Sequence, residues 1–143
     1  MNGYDPQNIF AKILRGEIPC HKVYEDAHAL AFMDIMPRCD GHVLVIPKMP
    51  SRNLLDANPE ALATLMPAVQ KLARACKAAM AAEGISIEQY NEPASGQTVY
   101  HLHFHILPRW EGVKLKPHGA EMAKPEVLAM LAEKIKAALA SSV

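Results

Sequence analysis

With 143 residues, half of them hydrophobic and 21% charged, the chain has the length and balance of one globular domain able to bury a core. Lysine plus arginine equals aspartate plus glutamate, 15 of each, so net charge offers no case for nucleic acid or an anionic membrane as a general partner. No apolar run approaches the roughly 18 residues of a membrane span, and the N-terminus lacks the apolar core of a secretory signal. The three cysteines, Cys20, Cys39 and Cys76, follow no disulfide pattern and read as small buried or half-buried hydrophobes in a cytoplasmic protein.

No internal repeat, low-complexity tract or linker divides the chain. Asp5-Pro6 predicts a helix start, with Ile9, Phe10, Ile13 and Leu14 on one face and Gly16 as the stop. "HKVYED" and "HALAFMDI" read as short strands joined at Asp26-Ala27. "MPRCDG" is a breaker, and "HVLVIPK" is a β-branched strand closed by Pro47. Asn58-Pro59-Glu60 opens a long helix striped by Leu62, Leu65, Met66, Val69, Leu72, Ala73, Cys76 and Met80, stopped by Gly84 and disturbed at Pro67. "ISIEQY" alternates as a strand, "NEPASGQ" is a loop, and "TVYHLHFHIL" is a further strand. Lys124 to Ala140 forms an amphipathic helix with Val127, Leu128, Leu131, Ile135 and Leu139 inward. The result is an α+β domain with a mainly antiparallel sheet.

Three of the seven histidines stand at alternate positions in "HLHFHILPR". On a strand, His101, His103 and His105 share one face, while Leu102, Phe104 and Ile106 share the other and pack on something apolar, expected to be a helix. Three readings follow. The imidazoles hold a metal, although three ligands on one straight strand converge awkwardly on one ion. The middle imidazole is a nucleophile whose neighbours orient it and manage protons. Or the three are polar residues on a half-exposed face with no task. The preceding "SGQTV" favours the second. Gly96 lets a ligand approach the backbone, Gln97 and Thr98 add polar groups, and successive N–H groups can cradle an anion. Donors beside an imidazole suit phosphoryl or nucleotidyl transfer, where positioning and charge stabilisation do most of the catalysis.

The pattern from His101 to Leu107, with an apolar residue in every intervening slot, resembles the signature of the histidine triad (HIT) family of nucleotide-binding hydrolases and transferases. "IFAKILRGEIPCHKVYED", "ALAFMDIMP", "GHVLVIPK" and "NEPASGQTVYHLHFHILPR" match it in order, from about residue 9 to 109, which leaves 110–143 as a variable tail with a helix within one domain over 1–143. The resemblance implies a HIT-like fold: an antiparallel sheet of about five strands, a long central helix and a C-terminal helix. It implies a homodimeric enzyme, like the phosphoramidase-type bacterial members. Such an enzyme cleaves at the α-phosphate of purine nucleotide derivatives and releases a nucleoside monophosphate. His103 would be the nucleophile and His105 a phosphate contact. His101 would stand behind the nucleophile, near a supporting His42. Asn91, Gly96, Gln97 and Thr98 match phosphate and leaving-group positions, Asp34 the ribose contact, and Ile9, Phe10, Ile13, Met33 and Ile35 the base pocket.

Two departures matter. Where many members carry Cys-x-x-Cys this chain has Asn8-Ile9-Phe10-Ala11, and Pro50 replaces a histidine. Of that zinc set His101 alone remains, and one imidazole cannot hold a structural zinc, so no metal or other cofactor is expected. Glu92 also sits where Gly is frequent, and its carboxylate must point away from a phosphate. The alternative is a nucleotide-binding regulatory or scaffold protein with little turnover; a metallohydrolase is a third reading. "PRWEGVKLKPHG", after the triad, is placed beside the leaving group, with Trp110 or His118 reaching a partner subunit's site.

Overall fold

The apolar periodicities become a sheet with helices on both faces. The computed structural model describes residues 3–141. In chain order these form α1 (Ile9–Leu14), β1 (Lys22–Glu25), β2 (Ala29–Met33), β3 (Val43–Pro47), α2 (Pro59–Ala79), β4 (Gly84–Glu88), β5 (Phe104–Arg109) and α3 (Pro125–Ser141). The strands lie in the order β1-β2-β3-β5-β4, and every pairing is antiparallel. This is the α+β architecture expected from the sequence, with its five strands, long central helix and C-terminal helix. Among the described residues no helix is long and apolar enough to cross a membrane.

Local chemistry explains most element ends and corrects two of them. The Asp26 carboxylate accepts N–H groups from His28 at 2.7 Å and Ala29 at 2.8 Å, which turns the chain between β1 and β2 as anticipated. Helix α1 starts at Ile9, three residues after the Asp5-Pro6 signal. Asp5 instead closes a turn, accepting Gln7 N–H on its side chain and Asn8 N–H on its carbonyl, and Asn8 becomes the cap by accepting Ala11 N–H at 2.9 Å. Helix α2 ends at Ala79, well before Gly84, which already pairs with Arg109 in the sheet. A Schellman closure stops it: Ala82 N–H donates to the Lys77 carbonyl and Ala81 N–H to that of Ala78, with Ala81 left-handed at φ 48°. An alanine does here what the sequence rule assigns to glycine. Pro67 is accommodated on the exposed side of α2, where water can satisfy the carbonyl it orphans.

The core divides at the sheet. On one face Val23, Ala29, Ala31, Met33, Val43, Val45, Phe104 and Ile106 meet Leu65, Val69, Leu72 and Cys76 of α2 and Leu128, Leu131 and Ile135 of α3. Leu102 joins this layer, so the apolar side of the triad segment packs on helices as expected. Two stripe positions turn outward: Met66 is 44% exposed and Val127 37%. On the other face Leu30, Phe32, Leu44 and Ile46 pack on Phe10 of α1. Leu44 pairs with His105 in register, and cross-strand partners share a face, so the third triad histidine opens toward the α1 side.

Candidate active site

The triad segment is not one regular strand. Ladder pairing begins at Phe104, opposite Val45, and His101 to His103 lie before it. The cause is Pro47 at the end of β3: it has no N–H to give, and its carbonyl is taken by His101 Nε2 at 2.8 Å. Leu102 N–H turns to the Ser51 carbonyl instead, at 2.8 Å. The chain remains extended, and the alternation of apolar and histidine sides survives.

Hydrogen bonding assigns each imidazole a tautomer, since a neutral ring has one donor and one acceptor nitrogen. His101 donates from Nε2 to Pro47 and accepts the Tyr4 hydroxyl on Nδ1 at 2.7 Å. It is fully buried, and burial lowers its pKa to about 4. His103 donates from Nδ1 to the His101 carbonyl at 2.7 Å, which leaves a lone pair on Nε2. Burial pushes its pKa down as well. Among the described residues no sealed polar side-chain atom lacks a partner, so the unpartnered Nε2 of His103 faces an opening.

His105 has the opposite polarity. Arg38 N–H donates to His42 Nδ1 at 3.1 Å, so the His42 proton sits on Nε2. That proton is donated to His105 Nδ1 at 2.9 Å, which leaves the His105 proton on Nε2, turned outward as a donor. Burial, then the neighbouring His103, His42, His118 and Arg38, lowers the His105 pKa to about 2; burial, then Arg38, His118 and His103, lowers that of His42 to about 3. The rings of His103 and His105 are 5.0 Å apart. One presents a lone pair and the other an N–H, the complement of an electrophilic phosphorus and its non-bridging oxygen.

His42 therefore lies against His105, not beside His101. Its Nε2 is also 3.5 Å from Asp34 Oδ2. Asp34 accepts Met36 N–H at 2.8 Å, and burial, opposed by that bond, raises its pKa to about 6. Asp34, His42 and His105 bring ligand-type atoms within 4.8 Å of one another. The tautomers speak against a metal there, because a protonated His42 Nε2 has no lone pair to give.

The loop before the triad is held by its own side chains. Gln97, buried, accepts Glu92 N–H at 2.7 Å and donates to the carbonyls of Arg52 and Val99 at 2.7 and 3.1 Å. Asn91 accepts Leu54 N–H at 2.9 Å and exchanges bonds with Gln89. Both amides thus shape the loop instead of pointing free ends outward. Gly96, left-handed at φ 110°, and the exposed Thr98 remain open. The Glu92 carboxylate turns away onto Arg52, at 2.8 and 2.9 Å, and Asn53 at 2.7 Å, which removes the repulsion it would otherwise offer a phosphate.

Of the expected base-pocket residues, Phe10 sets its ring edge-on to His103 at 4.9 Å. Ile13 joins the same cluster, while Ile9 and Ile35 are 41% and 44% exposed. Met33 is a correction. Strand alternation sends it to the α2 side of the sheet, 1% exposed, and its neighbour Phe32 takes the place beside Phe10, ring to ring at 5.4 Å.

Several site neighbours carry no local sequence signal. Tyr4 closes His101 across 97 positions of chain. Arg38, inside the breaker, donates to Glu88 at 2.9 Å, and Glu88 accepts the Tyr90 hydroxyl. Tyr90 lies 5.6 Å from His105. His118 sits on its own chain's His105, ring to ring at 6.3 Å. Trp110 instead bonds the Met80 and Ala81 carbonyls at the end of α2.

An antiparallel sheet that displays a nucleophile-type and a donor-type imidazole beside a glycine turn defines a class of phosphoryl-handling sites. The HIT domain model matches residues 15–112, and the chain belongs to this family. A HIT-like protein of Bartonella henselae, whose crystal structure is described as involved in cell-cycle regulation and holding an unknown ligand, is 56% identical. Its TM-score is 0.90, over 95% of this chain and 99% of that one. Protein hit of Bacillus subtilis is 41% identical over 139 residues, 94% of this chain and 95% of its own. An adenosine 5'-monophosphoramidase of Schizosaccharomyces pombe is 41% identical over 101 residues, covering 71% and 73%.

Proposed function

We propose that this protein is a nucleotide hydrolase acting at the α-phosphate of purine nucleotide derivatives, such as phosphoramidates, adenylated amines or dinucleoside polyphosphates. His103 Nε2 attacks phosphorus and forms a nucleotidyl-histidine as the leaving group departs. Water then opens that bond and releases a nucleoside monophosphate. His105 Nε2–H donates to a non-bridging oxygen whose charge grows in the transition state. His101 holds the His103 tautomer through its backbone carbonyl, and His42 holds that of His105. Gly96 and Thr98 offer close backbone approach and a hydroxyl to the phosphate side. Asp34 accepts from ribose hydroxyls, and Phe10, Ile13, Ile9 and Ile35 receive the base.

The observation that carries this reading is the opposed tautomer pair, a lone pair on His103 and a proton on His105, 5.0 Å apart by ring centre. The name of the fission-yeast relative, a monophosphoramidase, supports the substrate class. The resemblance also supports a homodimer, which equilibrium sedimentation tests directly. For the reaction, adenosine 5′-phosphoramidate is the assay substrate. Wild-type protein turns it over, and a rapid alkaline quench, under which the P–N bond survives, traps an adenylated histidine at position 103. His103→Ala abolishes turnover while AMP still binds; unchanged turnover in that variant would overturn the mechanism.

A further inference from the structure

His118 lies between β5 and α3 in a stretch without regular secondary structure. Two backbone anchors tie that stretch to the loop after β2. Lys116 N–H donates to the Arg38 carbonyl and Ala123 N–H to the Ile35 carbonyl, each at 2.9 Å, and Arg38 Nε returns a bond to the Lys116 carbonyl at 2.9 Å. Between the anchors the His118 imidazole is exposed and stands edge-on to Tyr90 at 5.6 Å and to His105 at 6.3 Å. Tyr90 is itself fixed by Glu88, and Glu88 by the Arg38 guanidinium. The three site imidazoles thus run His103, His105, His118. The last is the solvent-facing end.

The proposed function, on which this inference rests, leaves one proton unassigned. An amine leaving phosphorus must be protonated, and a positioned acid does this best. His103 Nε2 is consumed by its bond to phosphorus. His105 carries a single proton, engaged with the non-bridging oxygen. In-line displacement sends the leaving group away from His103, and His118 is the imidazole one step farther from His103 than His105 is. We propose that His118 is the proton carrier for the leaving group, which makes the tail after β5 part of the catalytic machinery. As the bond from His103 Nε2 to phosphorus forms, the P–N bond breaks, its electron pair stays on nitrogen, and the His118 imidazolium gives that nitrogen its proton. Neutral His118 then takes a proton from the water that attacks the nucleotidyl-histidine. The P–Nε2 bond breaks back onto His103, and the monophosphate leaves with His118 recharged. The groups facing His118 are Tyr90, His105 and, behind it, His42, with the Arg38–Glu88 pair and Lys116 alongside.

The test compares two leaving groups on one nucleotide: adenosine 5′-phosphoramidate, whose amine needs a proton, and the p-nitrophenyl ester of AMP, whose phenolate does not. His118→Gln is expected to lower kcat about 100-fold on the phosphoramidate and less than about threefold on the ester, in line with typical general-acid contributions. Across a series of amines, kcat becomes more sensitive to leaving-group pKa in the variant. Equal losses on both substrates, or no loss on the phosphoramidate, would overturn the role of His118. His103→Ala separates the two levels. If it still hydrolyses the ester, the nucleotidyl-histidine reading itself fails; if it is inactive while His118→Gln shows equal losses, the tail role alone fails.

Discussion

His101 and His103 are neighbours on one extended segment, and both are buried, at 0% and 7% exposure. The protein uses both ring nitrogens of His101, one on Pro47 and one on Tyr4. It uses one nitrogen of His103 and leaves the other open. What differs is the far nitrogen, and that difference separates an internal peg from an imidazole with a free lone pair. His105 extends the lesson: bonding its Nδ1 as an acceptor turns its Nε2 into a donor, so two identical residues side by side expose opposite polarity. The chemistry of an imidazole in such a row is set by the atom behind it.

Exchanging each histidine tests that contrast. The largest effect belongs to His103→Ala, expected to lower kcat at least about 1,000-fold, or about 4 kcal/mol of barrier, while the melting temperature measured by calorimetry falls less than in His101→Ala, because one hydrogen bond is lost and not two. Acidification comes next. The folded pKa values of His101, His42 and His105 lie at about 4, 3 and 2, below the ordinary 6.5. Below pH 6.5 the unfolded chain therefore binds protons that the folded chain refuses, and stability falls as pH drops from 6.5 toward 4, by up to about 1.4 kcal/mol per pH unit for each group. Asp34 works the other way. Its folded pKa of about 6 exceeds its ordinary 3.8, so between those values the folded chain holds the extra proton and offsets part of the loss. Melting temperature should fall between pH 7 and pH 5, and Asp34→Asn should steepen the fall; a flat profile would contradict the neutral, buried row.

His101→Ala inverts the His103 result. It orphans the Tyr4 hydroxyl and the Pro47 carbonyl and opens a cavity, a loss of about 2 to 4 kcal/mol read by urea unfolding. A melting curve matching wild type would show that His101 is no peg. Tyr4→Phe removes a single hydrogen bond and should cost about 1 kcal/mol, with kcat barely changed. The smallest expected effect is none: zinc analysis of purified protein should find no stoichiometric metal, and a chelator should leave turnover intact. A zinc per chain would contradict the tautomer of His42.

Element types were legible wherever one-dimensional periodicity met a local stop signal. The Asp26 turn, the Asn58 cap and the alternation of Leu102, Phe104 and Ile106 against the histidines all rest on residues close in sequence. The misses share a cause. Helix α1 starts late because Asp5 satisfies its own turn, and α2 closes on a left-handed alanine, so two cap rules met residues with a competing partner. Met33 faces α2 and not the expected base pocket because neighbours on a strand face opposite ways, and only the register against β3 says which way is inward. The triad segment leaves the ladder early because of Pro47, more than 50 positions away in sequence.

By itself the sequence determined the chemistry present: three alternating imidazoles, a glycine turn before them, a carboxylate after β2 and an apolar backing, together with the family that these residues mark. Tertiary structure decided which ring nitrogen of each imidazole, if any, is left open. Tyr4 and Pro47 set the tautomer of His101 and His42 that of His105, Arg52 sets the direction of Glu92, and Arg38 the place of His118. None of these pairings has a spacing that a linear reading can recover. A hydrogen bond is a relation between atoms in space, and folding alone brings its two ends within reach.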